Sequence, residues 1–402
     1  MHILLIHQIF IRPQDAGGTR HYEFARYLVE HGHRVTVLAG SRSYLTGQEI
    51  DAPQREEIEH GFEVVRCHVI SGVHRSFVWR TLGFLSFMAS AFFNGLKIGQ
   101  VDLVMGTSPP LFQAVSAWAL ARLKRVPFLF EVRDLWPYFA VSVGVLTNPV
   151  LIRLSEWLER FLYRGANRLV VNSPGFIEHV HARGGRRVEL VPNGVDVSTF
   201  DPQADGKAFR KAHGLESKFV IMYAGAHGLS NDLGVAVEAA ARLKDRSEIV
   251  FVFVGDGKEK PALQARVETL ALENVIFLSP VIKADVPSTL AGADACLAIL
   301  KPIEAYTTTY PNKVFDYMAA GKPVLLAIDG VIRKVVEQAG AGLAVPPGDP
   351  AALAEAVKKL AEDPAAAKRM GAAGRRQVED HFDREKLAGD IEQIMAEMVK
   401  GG

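Results

Sequence analysis

Cysteine is nearly absent: Cys67 and Cys296 are the only two in 402 residues, each inside an apolar stretch. Two buried thiols so far apart fit a reducing compartment and exclude a disulfide scaffold or a cysteine-rich zinc site. Net charge is missing as well. Lys and Arg number 46 against 45 Asp and Glu, which excludes a nucleic-acid binder that draws its affinity from neutralising many phosphates. Any basic site has to be local. No long hydrophobic run occurs either: the longest apolar region, 82–93, is broken by Gly83, Ser86 and Ser90 and is too short to cross a bilayer as a helix. The opening Met1-His2-Ile3-Leu4-Leu5-Ile6-His7 lacks the basic start and cleavage site of a signal peptide. It reads as a first strand, and a cytoplasmic location is expected. Neither a GxGxxG fingerprint nor a P-loop lysine-serine pair is found, which counts against a dinucleotide oxidoreductase and against a kinase or ATPase.

A chain of this length exceeds what one core organises, so two domains are expected. Short β-branched or apolar runs at 3–7, 35–38, 64–69, 103–105, 128–132, 169–171 and 188–191 alternate with helical patterns. That alternation is the signature of a parallel, doubly wound α/β sheet. The first helix carries a stripe of Tyr22, Ala25, Leu28 and Val29 and stops at Gly32, and a later one carries Leu111, Val115, Leu120 and Leu123. The turn Pro192-Asn193-Gly194-Val195-Asp196 and the polar stretch after it mark a boundary. Beyond it the alternation restarts at 219–223, 249–254, 275–278, 296–300, 324–327 and 343–345. We therefore expect domains at 1–197 and 198–381, with 382–402 packing back on the first through Leu387, Ile391, Ile394 and Met398. Asp349-Pro350 and Asp363-Pro364 mark helix starts between them.

In open α/β sheets ligands bind beyond the carboxyl ends of the strands, so those loops are where chemistry is sought. After the first strand comes Ala16-Gly17-Gly18-Thr19-Arg20, whose glycines let backbone amides approach an anion; a bare turn reads equally well. Glu131-Val132-Arg133-Asp134-Leu135-Trp136-Pro137 packs three charges beside a large aromatic. A carboxylate here, Asp134, can orient a sugar hydroxyl or stabilise developing positive charge, whereas an ion pair of Arg133 with Asp134 or Glu131 would only fasten the loop. Gly255-Asp256-Gly257 is a tight turn after a strand.

The segment 306–324 is the richest. A helix beginning near Pro311 or Asn312 presents free amides to a diphosphate, helped by Lys313, and Asp316 one turn on can accept hydrogen bonds from a ribose diol. The plainer alternative is a solvated Asp316 in a weak pair with Lys313.

Taken in order, these elements resemble the family 4 retaining glycosyltransferases. The resemblance rests on Gly17-Gly18, on Pro192-Asn193-Gly194-Val195-Asp196 with Phe200, on Gly255-Asp256-Gly257, on Glu273-Asn274-Val275-Ile276-Phe277 and on 312–324. His7, Pro13, Arg20, Thr107-Ser108-Pro109-Pro110 and Arg133-Asp134-Leu135-Trp136-Pro137 are similar to a bacterial branch, the WbuB and WcaI-type enzymes of surface-polysaccharide assembly. The resemblance implies a GT-B fold, two facing Rossmann-like domains with a cleft between them, and a donor held mainly by the second. It implies transfer of a sugar, with retention, from a nucleotide-diphosphate-sugar (UDP is favoured) to a glycan or polyprenyl-linked acceptor, without a metal or other cofactor. Front-face displacement, with the departing phosphate helping to deprotonate the acceptor, is the chemistry expected.

Two departures stand out. The family's first donor-site glutamate is replaced by Thr308, eight residues before Asp316, so Thr308, Thr309 or Glu304 has to meet the donor sugar. The usual Arg and Lys diphosphate clamp is replaced by Gly225-Ala226-His227-Gly228-Leu229-Ser230-Asn231-Asp232, which puts more weight on Lys313, Arg20 and the amides around Gly225 and His227. A catalytic set of Asp134, Lys313 and Thr308 is expected. The donor-binding set is Gly17, Gly18, Arg20, Gly225, His227, Gly255, Asp256, Gly257, Pro311, Asn312, Lys313 and Asp316.

Between 75 and 97, basic ends at Arg75, Arg80 and Lys97 flank an aromatic helix with Phe84, Phe87 and Phe92, a composition that suits contact with a membrane surface as well as packing on the first sheet. A GT-B-fold nucleotide-sugar epimerase and a non-catalytic nucleotide-sugar or glycan binder are the competing functions.

Overall fold

Uninterrupted apolar runs such as Ile249-Val250-Phe251-Val252-Phe253-Val254 offer no face to water, so they form strands covered on both sides. In the computed structural model, which describes residues 1–15, 17–43, 47–58, 61–72 and 77–401, such runs build two sheets. The first contains β1 (His2–Ile6), β2 (Arg34–Gly40), β3 (Arg55–Glu57), β4 (Glu63–Cys67), β5 (Leu103–Ser108), β6 (Phe128–Val132), β7 (Arg168–Val171) and β8 (Val188–Leu190) in the order β3-β4-β2-β1-β5-β6-β7-β8. All its pairings are parallel except β3 with β4. The second contains β9 (Phe219–Ala224), β10 (Ile249–Val254), β11 (Val275–Leu278), β12 (Ala295–Ile299), β13 (Val324–Ala327) and β14 (Gly342–Ala344), all parallel, in the order β11-β10-β9-β12-β13-β14.

The chain divides into two compact units. One is Met1–Arg12, Thr19–Pro192 and Glu385–Gly402; the other is Pro13–Gly18 and Asn193–Arg384. The change of unit falls inside the Pro192-Asn193-Gly194 turn, a few residues before the boundary expected at 197. The short piece with Gly17 and Gly18, expected in the first domain, groups with the second. Its backbone is held there by Lys283 N donating to Asp15 O (3.1 Å) and Ala284 N to Pro13 O (3.2 Å).

In the first unit, α1 (Arg20–Glu30) covers one face of the sheet, and α2 (Phe77–Lys97), α3 (Phe112–Lys124), α4 (Tyr138–Ser142), α5 (Pro149–Gly165) and α6 (Ile177–Ala182) belong to the other. On α3 the buried face is Ala114, Ala117, Leu120 and Ala121, and Leu123, expected on that stripe, points to solvent. Small residues let this helix lie close to the sheet: a β-carbon at Gly106 would stand 2.6 Å from that of Ala117. In the second unit lie α7 (Lys207–Ala212), α8 (Leu233–Arg242), α9 (Lys260–Thr269), α10 (Val286–Ala291), α11 (Asn312–Ala319), α12 (Val331–Ala339), α13 (Pro350–Glu362) and α14 (Pro364–His381). Asp349 caps α13 by accepting from Ala351 N and Ala352 N (both 2.9 Å), and Asp363 caps α14 by accepting from Ala366 N (2.8 Å). The last helix, α15 (Arg384–Lys400), shares a core with Ile3, Leu5 and Phe24 through Leu387, Ile391 and Met395. Among the described residues no helix is long and apolar enough to cross a membrane.

Candidate active site

Neighbouring strands whose chains leave in opposite directions open a crevice at their carboxyl ends. In the second sheet those neighbours are β9 and β12. The chain leaving β9 turns at Gly225 (φ 150°) and packs against the turn after β10, where Gly255 has φ 145°. A β-carbon on Gly255 would stand 1.9 Å from Gly225 O, and one on Gly257 2.3 Å from His227 O, so only glycine allows these backbones to touch. The turns are tied together by Gly225 N donating to Val254 O (2.9 Å) and His227 N to Asp256 O (2.8 Å). Asp256 is exposed and accepts from its neighbour Gly257 N (2.8 Å).

His227 differs from expectation. Its ring is fully buried, set against the edges of Phe253 and Phe277, and neither ring nitrogen has a hydrogen-bond partner among the described residues. Burial pushes it down to about 4, so it is neutral at pH 7. With no exposed surface it fastens the two glycine turns rather than offering itself to a donor.

Pro311 precedes α11 in an extended conformation, and the helix starts at Asn312. Of its first amides, Val314 N donates to Pro311 O (3.1 Å), and those of Asn312 and Lys313 have no intrahelical partner. Val314, Phe315, Tyr317 and Met318 anchor it in the core, while Lys313 reaches the tip of β9. There Lys313 Nζ donates to Tyr223 Oη (2.7 Å) and Asn231 Oδ1 (3.0 Å). It would stand 3.3 Å from a β-carbon at Gly225, so a side chain at that position would crowd the ammonium. Tyr223 Oη and Asn231 Nδ2 both donate onward to Ala226 O (2.7 and 3.0 Å), which fixes both partners in the loop. Neither is charged. Burial accordingly pushes the Lys313 ammonium down to about 7, and a diphosphate is the kind of ligand that would restore its charge.

The remaining donor-side residues are placed as follows. Asn312 Oδ1 is buried without a partner among the described residues; its Nδ2 would lie 3.6 Å from a β-carbon at Gly18. Asp316 does not pair with Lys313: its Oδ1 accepts from Lys283 Nζ at 2.8 Å, with both side chains about four-fifths buried (18% and 22% exposed). Thr308 closes a short 3-10 turn, Glu304–Thr308, its Oγ1 donating to Ala305 O (2.7 Å). Glu304 is exposed, and Tyr306 Oη donates to Ser230 Oγ. Tyr223, Asn231 and Lys283 were not singled out in the sequence. Tyr223 is the polar end of an otherwise apolar strand, and only Asn231, in a glycine-rich turn, carried a signal.

In the first unit Glu131 lies on β6 and Asp134 in the loop that follows it. Asp134 is half-buried, its Oδ1 has no partner among the described residues, and burial pushes its carboxyl up to about 7. Glu131 is fully buried and accepts from Arg20 Nε (2.8 Å) and His21 Nε2 (2.5 Å). Burial would raise its pKa, but His21 and Arg20 outweigh burial and hold it well below the carboxylate range. Burial also keeps His21 neutral, down to about 4.

Arg20, expected at a donor phosphate, is therefore corrected. It is 1% exposed, and its other nitrogens donate to Pro192 O (2.6 Å) and Val191 O (2.8 Å). Its charge is committed to Glu131. The His7 ring lies 4.0 Å from that of His21, tilted 38° to it, and shares a 2.8 Å hydrogen bond with Thr107 across the β1–β5 crevice.

Two Rossmann-like sheets, parallel but for β3, with a lysine at the helix start of the second switch point, have the architecture of a GT-B-type glycosyltransferase. Family models place the chain in that class directly: residues 16–194 match the glycosyl transferase 4-like domain and 218–363 match glycosyl transferases group 1. The chain belongs to the family 4 glycosyltransferases of GT-B fold. It is similar to WcaI of Escherichia coli K12, named for colanic acid biosynthesis, at 24% identity over 79% of this chain and 81% of that one. Among solved structures it matches sucrose-phosphate synthase of Thermosynechococcus elongatus with a TM-score of 0.80, 20% identity and 100% of both chains covered. It also matches Anabaena HepE in complex with UDP and glucose, with a TM-score of 0.72, 18% identity, and 98% and 99% covered.

Proposed function

We propose that this glycosyltransferase moves a sugar from a UDP-sugar, with retention and without a metal, onto a glycan or polyprenyl-linked acceptor of bacterial surface-polysaccharide assembly. The observation that carries the reading is Lys313, an ammonium with only neutral partners, held beside the first amides of α11. An arriving diphosphate would supply the missing negative charge and satisfy free backbone donors. Asp316 would accept from the ribose hydroxyls through Oδ2, its Oδ1 being held by Lys283. Thr308 and the backbone of its turn would meet the sugar.

The leaving diphosphate gains negative charge as the glycosidic bond breaks, and Lys313 with the loop amides stabilises it at that moment, which is how preorganised charge lowers a barrier. Asp134, titrating near neutrality, would orient the acceptor hydroxyl, whose proton passes to the departing phosphate. UDP as carrier draws support from the HepE complex, and polysaccharide assembly from the likeness to WcaI. A lipid-linked acceptor would bring the protein to the inner face of the cytoplasmic membrane. Of the segment first expected to touch it, 75–97, Arg75 lies outside the described residues.

Incubation with a panel of nucleotide sugars and simple or lipid-linked acceptors tests the reading. UDP should be released and NMR of the product should show the donor's anomeric configuration. Inverted product, epimerised donor, or binding without turnover would each refute it.

A further inference from the structure

One side of the first sheet is covered by three helices lying side by side, α2, α3 and α5, whose inner faces share a core with Phe87, Leu120 and Leu162. They are closely packed: a β-carbon on Gly95 of α2 would stand 2.4 Å from Leu120 of α3. The outer side of this layer is not an ordinary solvated surface. On α5, Val150 and Trp157 are 61% and 62% exposed, with Leu154 exposed between them at helical spacing; Phe93 on α2 and Leu123 on α3 are each 62% exposed. Trp157 stacks on Phe161, which meets Trp118 of α3 edge-on at 4.7 Å. Singly exposed apolar residues need no explanation, but several on one layer mark an interaction surface.

The charge of the layer says what it meets. Neither α2 nor α3 contains an acidic residue, and both end in cations: Lys97 is exposed on α2 and Arg122 on α3. On α5, Arg153, Arg160 and Arg164 are exposed, and its two glutamates are matched by basic side chains. Glu159 is buried, 3.4 Å from Arg183 and 2.8 Å from His179, and half-buried Glu156 lies 3.2 Å from Arg183 and 3.7 Å from Arg160. The layer is thus basic and apolar in a chain whose net charge is only +1. Arginines beside an exposed Trp and branched aliphatics suit lipid phosphates above acyl chains. The same stretch of chain leaves β6 at the Asp134 loop and reaches α5 through the short α4, and Val141 on α4 and Val145 just beyond it are exposed as well.

We propose that the outer face of α2, α3 and α5 docks on an anionic bilayer, with Val150, Leu154 and Trp157 at headgroup depth and Arg153, Arg160 and Arg164 on lipid phosphates. The lipid-linked acceptor proposed above gives this docking its purpose, but the docking itself does not depend on it. It extends the contact beyond α2 and makes α5 its anchor.

The test is co-sedimentation of the full chain with vesicles of phosphatidylcholine, with and without phosphatidylglycerol. Binding is expected with phosphatidylglycerol, falling as salt rises, and little without it. Leu154→Ser with Trp157→Ser should weaken it about tenfold or more. Arg153→Glu with Arg160→Glu should weaken it by at least about fivefold for each arginine, the equivalent of ~1 kcal/mol per charge. These side chains are exposed, and melting curves would verify folding. Both double variants should release UDP from a soluble donor as the wild type does. Absence of wild-type binding to anionic vesicles, binding unchanged in both double variants, or a self-association that the Leu154/Trp157 pair abolishes in place of vesicle binding would overturn the proposal. Wild-type vesicle binding without any sugar transfer would leave the docking face standing and sink the transferase reading instead.

Discussion

Lys313 is a cation kept where a cation is costly, and its pH behaviour follows from that. Its folded pKa of about 7 lies below the ordinary 10.5, so between those values the unfolded chain holds a proton that the folded one lacks. Stability contributed through Lys313 therefore rises with pH across that window, and the cost of the charge is fully present below pH 7. Lys313→Met should raise the melting temperature at pH 6 more than at pH 9, while activity falls; calorimetry at the two pH values checks it. Asp134 has the opposite sign. Its carboxyl is raised from 3.8 to about 7, the folded state binds the extra proton between them, and stability falls as pH rises through that range. Asp134→Asn should stabilise at pH 8, leave stability near pH 3 unchanged, and remove the rise in kcat/KM through pH 7 that an ionised Asp134 would give. Lys313 and Asp134 could be picked out in the sequence because charged residues in strand-end loops are conspicuous. Their partners could not. Tyr223 is the last polar atom of a buried strand, and Lys283, nearly a full helix-and-strand unit away from Asp316, reaches it only once the chain has folded.

The strands and turns were the most legible elements. Every apolar run read as a strand is one, because a buried parallel strand writes itself as continuous β-branched and aromatic residues. Among the described residues the one strand missed, β3, is Arg55-Glu56-Glu57, a short charged antiparallel edge with no apolar signal to find. Periodicity misplaced Leu123 because α3 packs through small residues, not large ones. The glycine turns were noticed, but the reason for them, backbone against backbone, is a tertiary fact. Gly255→Ala forces a β-carbon onto Gly225 O and an L residue into φ 145°. The expected outcome is a loss of stability of about 1–3 kcal/mol together with weakened UDP affinity as the β9 loop moves off Lys313. Urea denaturation and calorimetric titration measure the two effects separately.

Across the whole molecule, each unit carries a polar group network at its own switch point, and the two networks differ in kind. In the second unit Lys313 waits with neutral partners. In the first, Arg20, Glu131 and His21 satisfy one another in the dark, which is why an arginine beside Gly17-Gly18 looked like a phosphate ligand in the sequence and is a structural residue in the fold. Glu131→Ala removes the carboxylate that balances the buried Arg20 charge and should cost about 3–5 kcal/mol of stability, read from urea unfolding, whereas a phosphate-binding Arg20 would have left stability nearly untouched. The central claim is that the second unit turns over a nucleotide sugar through Lys313. Release of UDP from a panel of UDP-sugars, wild type against Lys313→Ala at pH 7, tests it most directly. The account predicts turnover of at least one donor by the wild type and a loss of about a hundredfold or more in a variant that melts no lower. A Lys313→Ala chain that releases UDP as fast as the wild type would contradict it.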